Sequence, residues 1–179
     1  MTRLTRRLLV AAPLFTGTVV AQSIEVPDWE NSVRFQLVAS QNAARPGDRL
    51  ELAVVAEIDP GYHLYGPEER RPSRTEVLVQ EGFLRSEAPV FPPVVTRDLA
   101  GLGKYDLYEG KIAIRIPATV EETVSLRREI PIDVRVNYQV CTDSACSAPT
   151  HKVLSLMLPV VAAGAEVWPT YPHIFESKE

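Results

Sequence analysis

Most signatures that tie a sequence to a chemistry are missing from this chain. There is no Gly-rich phosphate loop, no His-Glu-x-x-His motif and no Gly-x-Ser-x-Gly elbow, and no internal repeat is present. No segment beyond the N-terminus keeps a helical period, which leaves strands to build the core. Positive charge is in deficit, with 19 Lys and Arg against 23 Asp and Glu, and that balance argues against nucleic acid or an anionic membrane surface as a partner. Long apolar runs are absent except for Leu8 to Val20, which is shorter than the roughly 20 residues a spanning helix needs. Cysteine is scarce. Cys141 and Cys146 are the only two, and five positions apart they cannot pin two sheets together as the distant cysteines of an antibody domain do.

The N-terminus supplies the first positive reading. Arg3, Arg6 and Arg7 precede the apolar run, and Val19 and Ala21 stand where a signal peptidase reads small residues. This pattern predicts a cleavable secretory signal over residues 1–21, followed by a single domain at 22–161 and a tail at 162–179. Removing the three leader arginines leaves 16 basic against 23 acidic residues, a net charge of −7. The product is expected to be exported, with no stable membrane insertion, into a compartment where two neighbouring thiols are oxidised by default.

The mature chain reads as a succession of short strands. Val33, Phe35, Leu37 and Ala39 alternate with Arg34, Gln36 and Val38, and after the turn Pro46-Gly47-Asp48 a second strand carries Leu50, Leu52, Val54, Ala56 and Ile58. Asp59-Pro60-Gly61 ends it and opens the aromatic stretch Tyr62-His63-Leu64-Tyr65, bounded by Gly66 and Pro67. Glu76 to Gln80 predicts a short strand. Glu87 to Tyr108, with Pro89, Pro92, Pro93, Gly101 and Gly103, predicts a long loop of the kind that often carries function. Ile112, Ile114 and Ile116 form a strand expected to stop at Pro117, and Glu121 to Arg128 a polar connection. About seven or eight strands separated by turn signals imply an all-β fold, an immunoglobulin-like β-sandwich.

From Ile130 to Cys141 the alternation is strict, with Ile130, Ile132, Val134, Val136, Tyr138 and Val140 on one side. Thr142 to Ala145 are turn-forming, and Leu154, Leu156 and Leu158 resume strand spacing, so the chain reverses between the cysteines. Cys141 shares its parity with Arg135, Asn137 and Gln139 and is therefore expected to face water, or at least to lie outside the main core. Three readings of the pair stand side by side. A static disulfide would stabilise the hairpin by roughly 2 kcal/mol in the chain-entropy model, and the domain would then be a binding or assembly module. A metal site would draw on Cys141, Cys146, His151 and His63, at looser spacing than the usual paired ligands. A redox-active pair would use an exposed short-loop disulfide to exchange with other thiols.

Val136-Asn137-Tyr138-Gln139-Val140-Cys141, with Cys146 and Pro149 following, resembles the Tyr-Gln-x-Cys…Cys-x-x-Pro signature of the N-terminal periplasmic domain of the thiol:disulfide interchange protein DsbD. Gly61-Tyr62-His63-Leu64-Tyr65 is similar to that family's Gly-Tyr-x-Leu-Tyr, and Gly103-Lys104-Tyr105-Asp106-Leu107-Tyr108-Glu109-Gly110 to the segment before its next strand. The resemblance covers about Val33 to Leu158. It implies an immunoglobulin-like domain of the protein-disulfide reductase type, without an organic cofactor, that takes reducing equivalents from a membrane-embedded reductase and passes them to periplasmic thioredoxin-like proteins. It further implies that Cys146 forms the mixed disulfide and that Cys141 resolves it. The family's chains usually continue into a membrane domain and a thioredoxin-like domain, so for a chain ending at Glu179 the expectation is that either a separate membrane protein reduces it or the domain has been retained for another task.

The same resemblance marks out the neighbours of the pair. Tyr65 matches a family tyrosine expected to wall the site, while His63 replaces a second tyrosine and brings a group that titrates near neutral pH and can help form a thiolate. Where the family lays an aromatic cap over the disulfide, alignment puts Gly101, so either Leu99 or Leu102 serves or the cap is lost. Asp98 is the nearest acid in that loop and a candidate for steering protons. His151 and His173 read as surface residues, and Trp168, Tyr171 and Phe175 as tail aromatics that dock on the domain itself.

Overall fold

The computed structural model describes residues 27–176 apart from 81, 100–102 and 127, and leaves the side chains of 125 and 126 undescribed. The leader expected over residues 1–21, Gly101 and Leu102 lie outside the described residues. Eleven strands follow in order among those residues: β1 (Val33–Ala39), β2 (Arg49–Ile58), β3 (His63–Tyr65), β4 (Glu76–Val79), β5 (Leu84–Ser86), β6 (Val95–Leu99), β7 (Gly103–Tyr108), β8 (Lys111–Val120), β9 (Glu129–Tyr138), β10 (Val140–Cys141) and β11 (Thr150–Pro159). The fold is the all-β, immunoglobulin-like sandwich expected, with more strands than turn signals alone resolved.

Two antiparallel sheets make the sandwich, ordered β1-β2-β8-β5 and β11-β9-β4. Period-two burial supplies its core: Leu52, Val54, Ile114 and Ile116 from the first sheet meet Ile130, Val134 and Val136 from the second, each fully enclosed. Each of these side chains contributes about 1.5–3 kcal/mol by leaving water.

β8 does not stop at Pro117. It runs on to Val120, pairing Glu51 with Pro117 and Leu50 with Ala118. The Pro117 carbonyl accepts the Glu87 N–H at 2.8 Å beyond the end of β5. The ring nitrogen, on the same side as that carbonyl, thus faces the end of a short neighbour and leaves the β2 ladder whole.

A third sheet, β10-β3-β7-β6, closes one end of the sandwich. Its inner face sends Leu64, Tyr108 and Val140 into a second cluster with Val33, Ala56 and Ile58, and the Tyr108 hydroxyl donates to the Pro92 carbonyl at 3.1 Å. The greater part of the expected long loop, from Val95 to Tyr108, is therefore the antiparallel pair β6–β7. Its pattern hid because β6 is exposed at Val95, Thr96, Arg97 and Asp98 alike and buries only Leu99. The turn ahead of β3 is set by Pro60 and by Gly61 at φ +86°, with the Tyr62 N–H donating to the Asp59 carbonyl at 3.1 Å.

The tail folds back on the first sheet. Ile174 and Phe175 pack on Val38, Ala53 and Val55, the Thr170 hydroxyl donates to the Ala39 carbonyl at 2.6 Å, and Asn42 and Trp168 exchange hydrogen bonds. Phe175 thus docks on the domain, whereas Trp168 and Tyr171 remain exposed at 59% and 41%.

Candidate functional site: a half-sealed hairpin disulfide

β9 and β11 form a ladder ten residue pairs long, from Glu129–Pro159 to Tyr138–Thr150. At Gln139 the chain leaves this ladder, and Val140 and Cys141 join β3 in the end sheet, opposite Leu64 and His63. Cys141 and Cys146 face each other across the hairpin that follows and are joined by a disulfide, with their Cα atoms 4.0 Å apart. The flanking bonds Thr142 N–H to Ala145 O and Ser147 N–H to Val140 O, both 2.8 Å, put the pair at a non-hydrogen-bonded position, where cross-strand side chains lie closest. Thr142 Oγ1 accepts the Ala145 N–H at 3.2 Å and holds the turn. Gln139 Nε2 donates to the Ser147 carbonyl at 2.7 Å.

The two sulfur-bearing residues sit in opposite environments. Cys146 is exposed, while Cys141 is fully buried with Tyr65, Leu99 and Leu107. The expectation that Cys141 faces water is thus corrected, although the residue does lie outside the main core. The parity argument fails because it was carried through Gln139, where the strand changes sheets. In β10 both faces are covered, and Val140 and Cys141 are both buried.

Register explains the pocket's membership. Side chains directly opposite one another share a face, so the pairs Cys141–His63, Tyr65–Leu107 and Arg97–Tyr105 put all six residues on one face of the end sheet. Tyr65 lies edge-on to His63 with ring centroids 6.0 Å apart and 5.5 Å from Tyr105. Its hydroxyl is 3.9 Å from Cys146 Sγ, and because a disulfide sulfur has no hydrogen, Tyr65 is the donor. Burial, then the neighbouring Tyr105 and Glu69, pushes the Tyr65 hydroxyl up, so it keeps its proton. Leu99 is buried in one cluster with Cys141, Tyr65 and Leu107. Asp98 pairs with Lys104 and falls on the opposite face of β6 from Leu99 and Arg97, away from the sulfurs.

His63 is 1% exposed, and its Nε2 has no hydrogen-bond partner. Burial lowers its pKa below the ordinary 6.5, opposed by Asp143 and Glu109 and aided by Arg97. Those three residues form a chain of charge, with Arg97 paired to Glu109 and reaching Asp143 at 3.7 Å, which ties β6 to the turn between the cysteines. Sequence reasoning passed over all three. Asp143 read only as a turn former, and Arg97 and Glu109 meet only because β6 and β7 form a hairpin. His151 pairs with Asn137 in another sheet, and among the described residues no three His, Cys, Asp or Glu side chains converge on a metal position.

A buried imidazole that resists protonation makes stability depend on pH. The unfolded chain takes up the proton first, so stability present above about pH 6.5 declines as pH falls through that value and levels off below the folded pKa. One proton limits the slope to about 1.4 kcal/mol per pH unit. Urea unfolding between pH 5 and 8 is expected to show this decline in the wild type and a shallower one in His63→Gln.

A β-sandwich that leaves one cysteine of a disulfide exposed and buries the other has the construction of a thiol:disulfide exchange domain. The family model for the N-terminal region of the thiol:disulfide interchange protein DsbD matches residues 34–158. The chain belongs to that family. Among solved structures it is similar to the reduced DsbD N-terminal domain of Neisseria meningitidis, at 16% identity over 74% of this chain and 89% of that one, with a TM-score of 0.43. The N-terminal periplasmic domain of ScsB from Proteus mirabilis matches at 14% identity over 74% of this chain and 49% of that one, with a TM-score of 0.49. A complex between the DsbD and PilB N-terminal domains of Neisseria meningitidis matches at 16% identity over 66% and 80%, with a TM-score of 0.41. No curated protein matches the sequence.

Proposed function

We propose that this chain is an exported, periplasmic thiol:disulfide exchange domain that receives reducing equivalents from a membrane-embedded reductase and delivers them to thioredoxin-like proteins. Family membership supports the class of reaction. The observation that carries the assignment of roles is the contrast within one disulfide, with Cys141 buried and Cys146 exposed.

In the reduced domain the Cys146 thiolate attacks a client disulfide, forming a mixed disulfide and expelling the client's second sulfur as a thiolate. Cys141, once deprotonated, attacks Cys146 Sγ. The Cys141–Cys146 bond re-forms, the client leaves as a dithiol, and two electrons have passed. Cys141 must lose its proton inside an apolar pocket, where a bare thiolate is costly. His63, directly opposite Cys141 in register, is the titratable group placed to take that proton, and the burial that lowers its pKa makes the transfer uphill and transient. Tyr65 donates to Cys146 Sγ, and Leu99 keeps solvent thiols from Cys141. Asp98 has no part in this scheme.

Equilibration of the purified domain with a dithiothreitol or glutathione series tests the proposal. The expected reduction potential lies above about −250 mV, among exchanging disulfides, whereas a value below about −300 mV marks a structural bond. In that case the burial of Cys141 would be the burial of a static brace, and the domain a binding or assembly module.

A further inference from the structure

Beside the disulfide, on the far side of Tyr65, lies a cleft of about 480 Å³ lined by Tyr65, Glu69, Arg70, Ser73, Lys104 and Tyr105. The loop after β3 forms one wall. It is drawn against β7 by the Gly66 N–H to Asp106 carbonyl bond of 2.6 Å and by Glu69, whose carboxylate accepts the Asp106 N–H at 2.9 Å. A side chain at Gly66 would meet the Asp106 carbonyl at 3.0 Å, so this close approach depends on glycine. The floor is aromatic, with the Tyr65 and Tyr105 rings 5.5 Å apart, and the Tyr65 hydroxyl links it to Cys146 Sγ.

Charge is distributed unevenly around this cleft. Arg71 and Arg74 are both committed to Glu76, at 2.6 and 2.5 Å. Arg70 and Lys104 are exposed, and among the described residues neither has a carboxylate within ion-pairing distance, Lys104 included, although Asp98 lies opposite it in register. Glu69 already spends one oxygen on the β7 backbone. In a chain of net charge −4, two unpaired cations therefore stand over an aromatic floor one side chain away from the accessible sulfur.

We infer that this cleft receives the polypeptide segment next to a partner's reactive cysteine and selects partners carrying an acidic side chain there, held between Arg70 and Lys104. The inference rests on the exchange reading above and adds to it the chemistry by which a partner is chosen. In the step concerned the partner's thiolate attacks Cys146 Sγ, the Cys146–Cys141 bond breaks, Cys141 leaves as a thiolate, and a partner–Cys146 disulfide forms. An acid anchored in the cleft raises the concentration of the attacking sulfur at Cys146, and its effect weakens with salt.

The test uses the oxidised domain and three reduced single-cysteine peptides of equal length, with the cysteine flanked by Asp, Asn or Lys, together with 2-mercaptoethanol as a neutral small thiol. Rates of mixed-disulfide formation are measured for the wild type, for Arg70→Glu with Lys104→Glu, and for Arg70→Gln with Lys104→Gln. The ratio of Asp-peptide to Lys-peptide rates is expected to fall about fivefold or more from wild type to the Glu double variant. The Gln variant should lie between, 0.5 M salt should compress the difference, and the 2-mercaptoethanol rate, whose attacking thiolate carries a single negative charge, should fall less in the Glu variant than the Asp-peptide rate does. Comparing ratios between variants cancels the peptides' own differences in thiol reactivity. An Asp-to-Lys ratio that is the same in all three proteins overturns the inference while leaving exchange intact. A disulfide that 2-mercaptoethanol does not open removes the exchange reading, and this inference with it.

Discussion

Replacing Cys146 by serine is expected to reduce thiol exchange to background while the domain remains folded. The loss is complete because Cys141, the only other cysteine, is fully buried beneath Tyr65, Leu99 and Leu107 and offers no line of attack to a client. Breaking so short a loop costs about 2 kcal/mol in the chain-entropy model, which a sandwich core of this size withstands. The companion change, Cys141→Ala, has the opposite signature: Cys146 still attacks, nothing resolves the product, and mixed disulfides accumulate. Non-reducing electrophoresis against an oxidised thioredoxin-like protein distinguishes the two. Trapping by Cys146→Ser instead of Cys141→Ala would reverse the assigned roles.

The second large effect is structural and reaches the site through the backbone. Leu64 is fully buried between His63 and Tyr65 in sequence and packs with Ile58, Tyr108 and Val140 beneath the end sheet. Leu64→Ala is expected to cost about 2–5 kcal/mol, read as a lowered urea midpoint. β3 is only three residues long and carries β10 on its edge, so a cavity under Leu64 also loosens the support of Cys141. In the reduced protein, Cys141 should then react faster with a small alkylating reagent than it does in the wild type. Leu78→Ala, at a side chain 52% exposed, should change neither quantity by more than about 0.5 kcal/mol or its equivalent. An equal effect from both substitutions would mean that the end sheet does not depend on its inner cluster.

How far the sequence reached depends on whether a residue's surroundings are local. The inward set of β9 was legible because that strand buries one face against the facing sheet, so a period of two reports burial directly; β1 and β2 carry the same inward period, but the tail also buries Val38, Ala53 and Val55 on their other face. The reversal between the cysteines was legible from turn residues, and the neighbourhood of the pair from motifs shared with a family. Cys141's burial was not, because the rule that worked from Ile130 to Tyr138 assumes one continuous strand. Nothing in Gln139 announces a change of sheet. Pro117 was misread for a related reason: whether a missing N–H matters depends on which neighbour it would face, and that neighbour, β5, is distant in sequence. The link from Arg97 to Glu109 and Asp143 joins three separate segments, and no periodicity connects them. His63 could be singled out as a departure from the family pattern, but its enclosure and unpartnered Nε2 follow only from the sheet that β3 forms with β10 and β7.

The long ladder between β9 and β11 bears on what happens once the sulfur–sulfur bond is open. Both cysteines emerge from it within a few residues, and the Val140–Ser147 and Thr142–Ala145 backbone bonds close the hairpin around them. The two thiols therefore do not drift apart as they would on a free chain. Their effective molarity toward one another is set by a ten-pair strand ladder, most of the entropy of rejoining having been lost when the domain folded. On the roles proposed above, a mixed disulfide at Cys146 would meet its internal nucleophile far more often than any dissolved thiol, so that deprotonation of Cys141 and not encounter would set its lifetime.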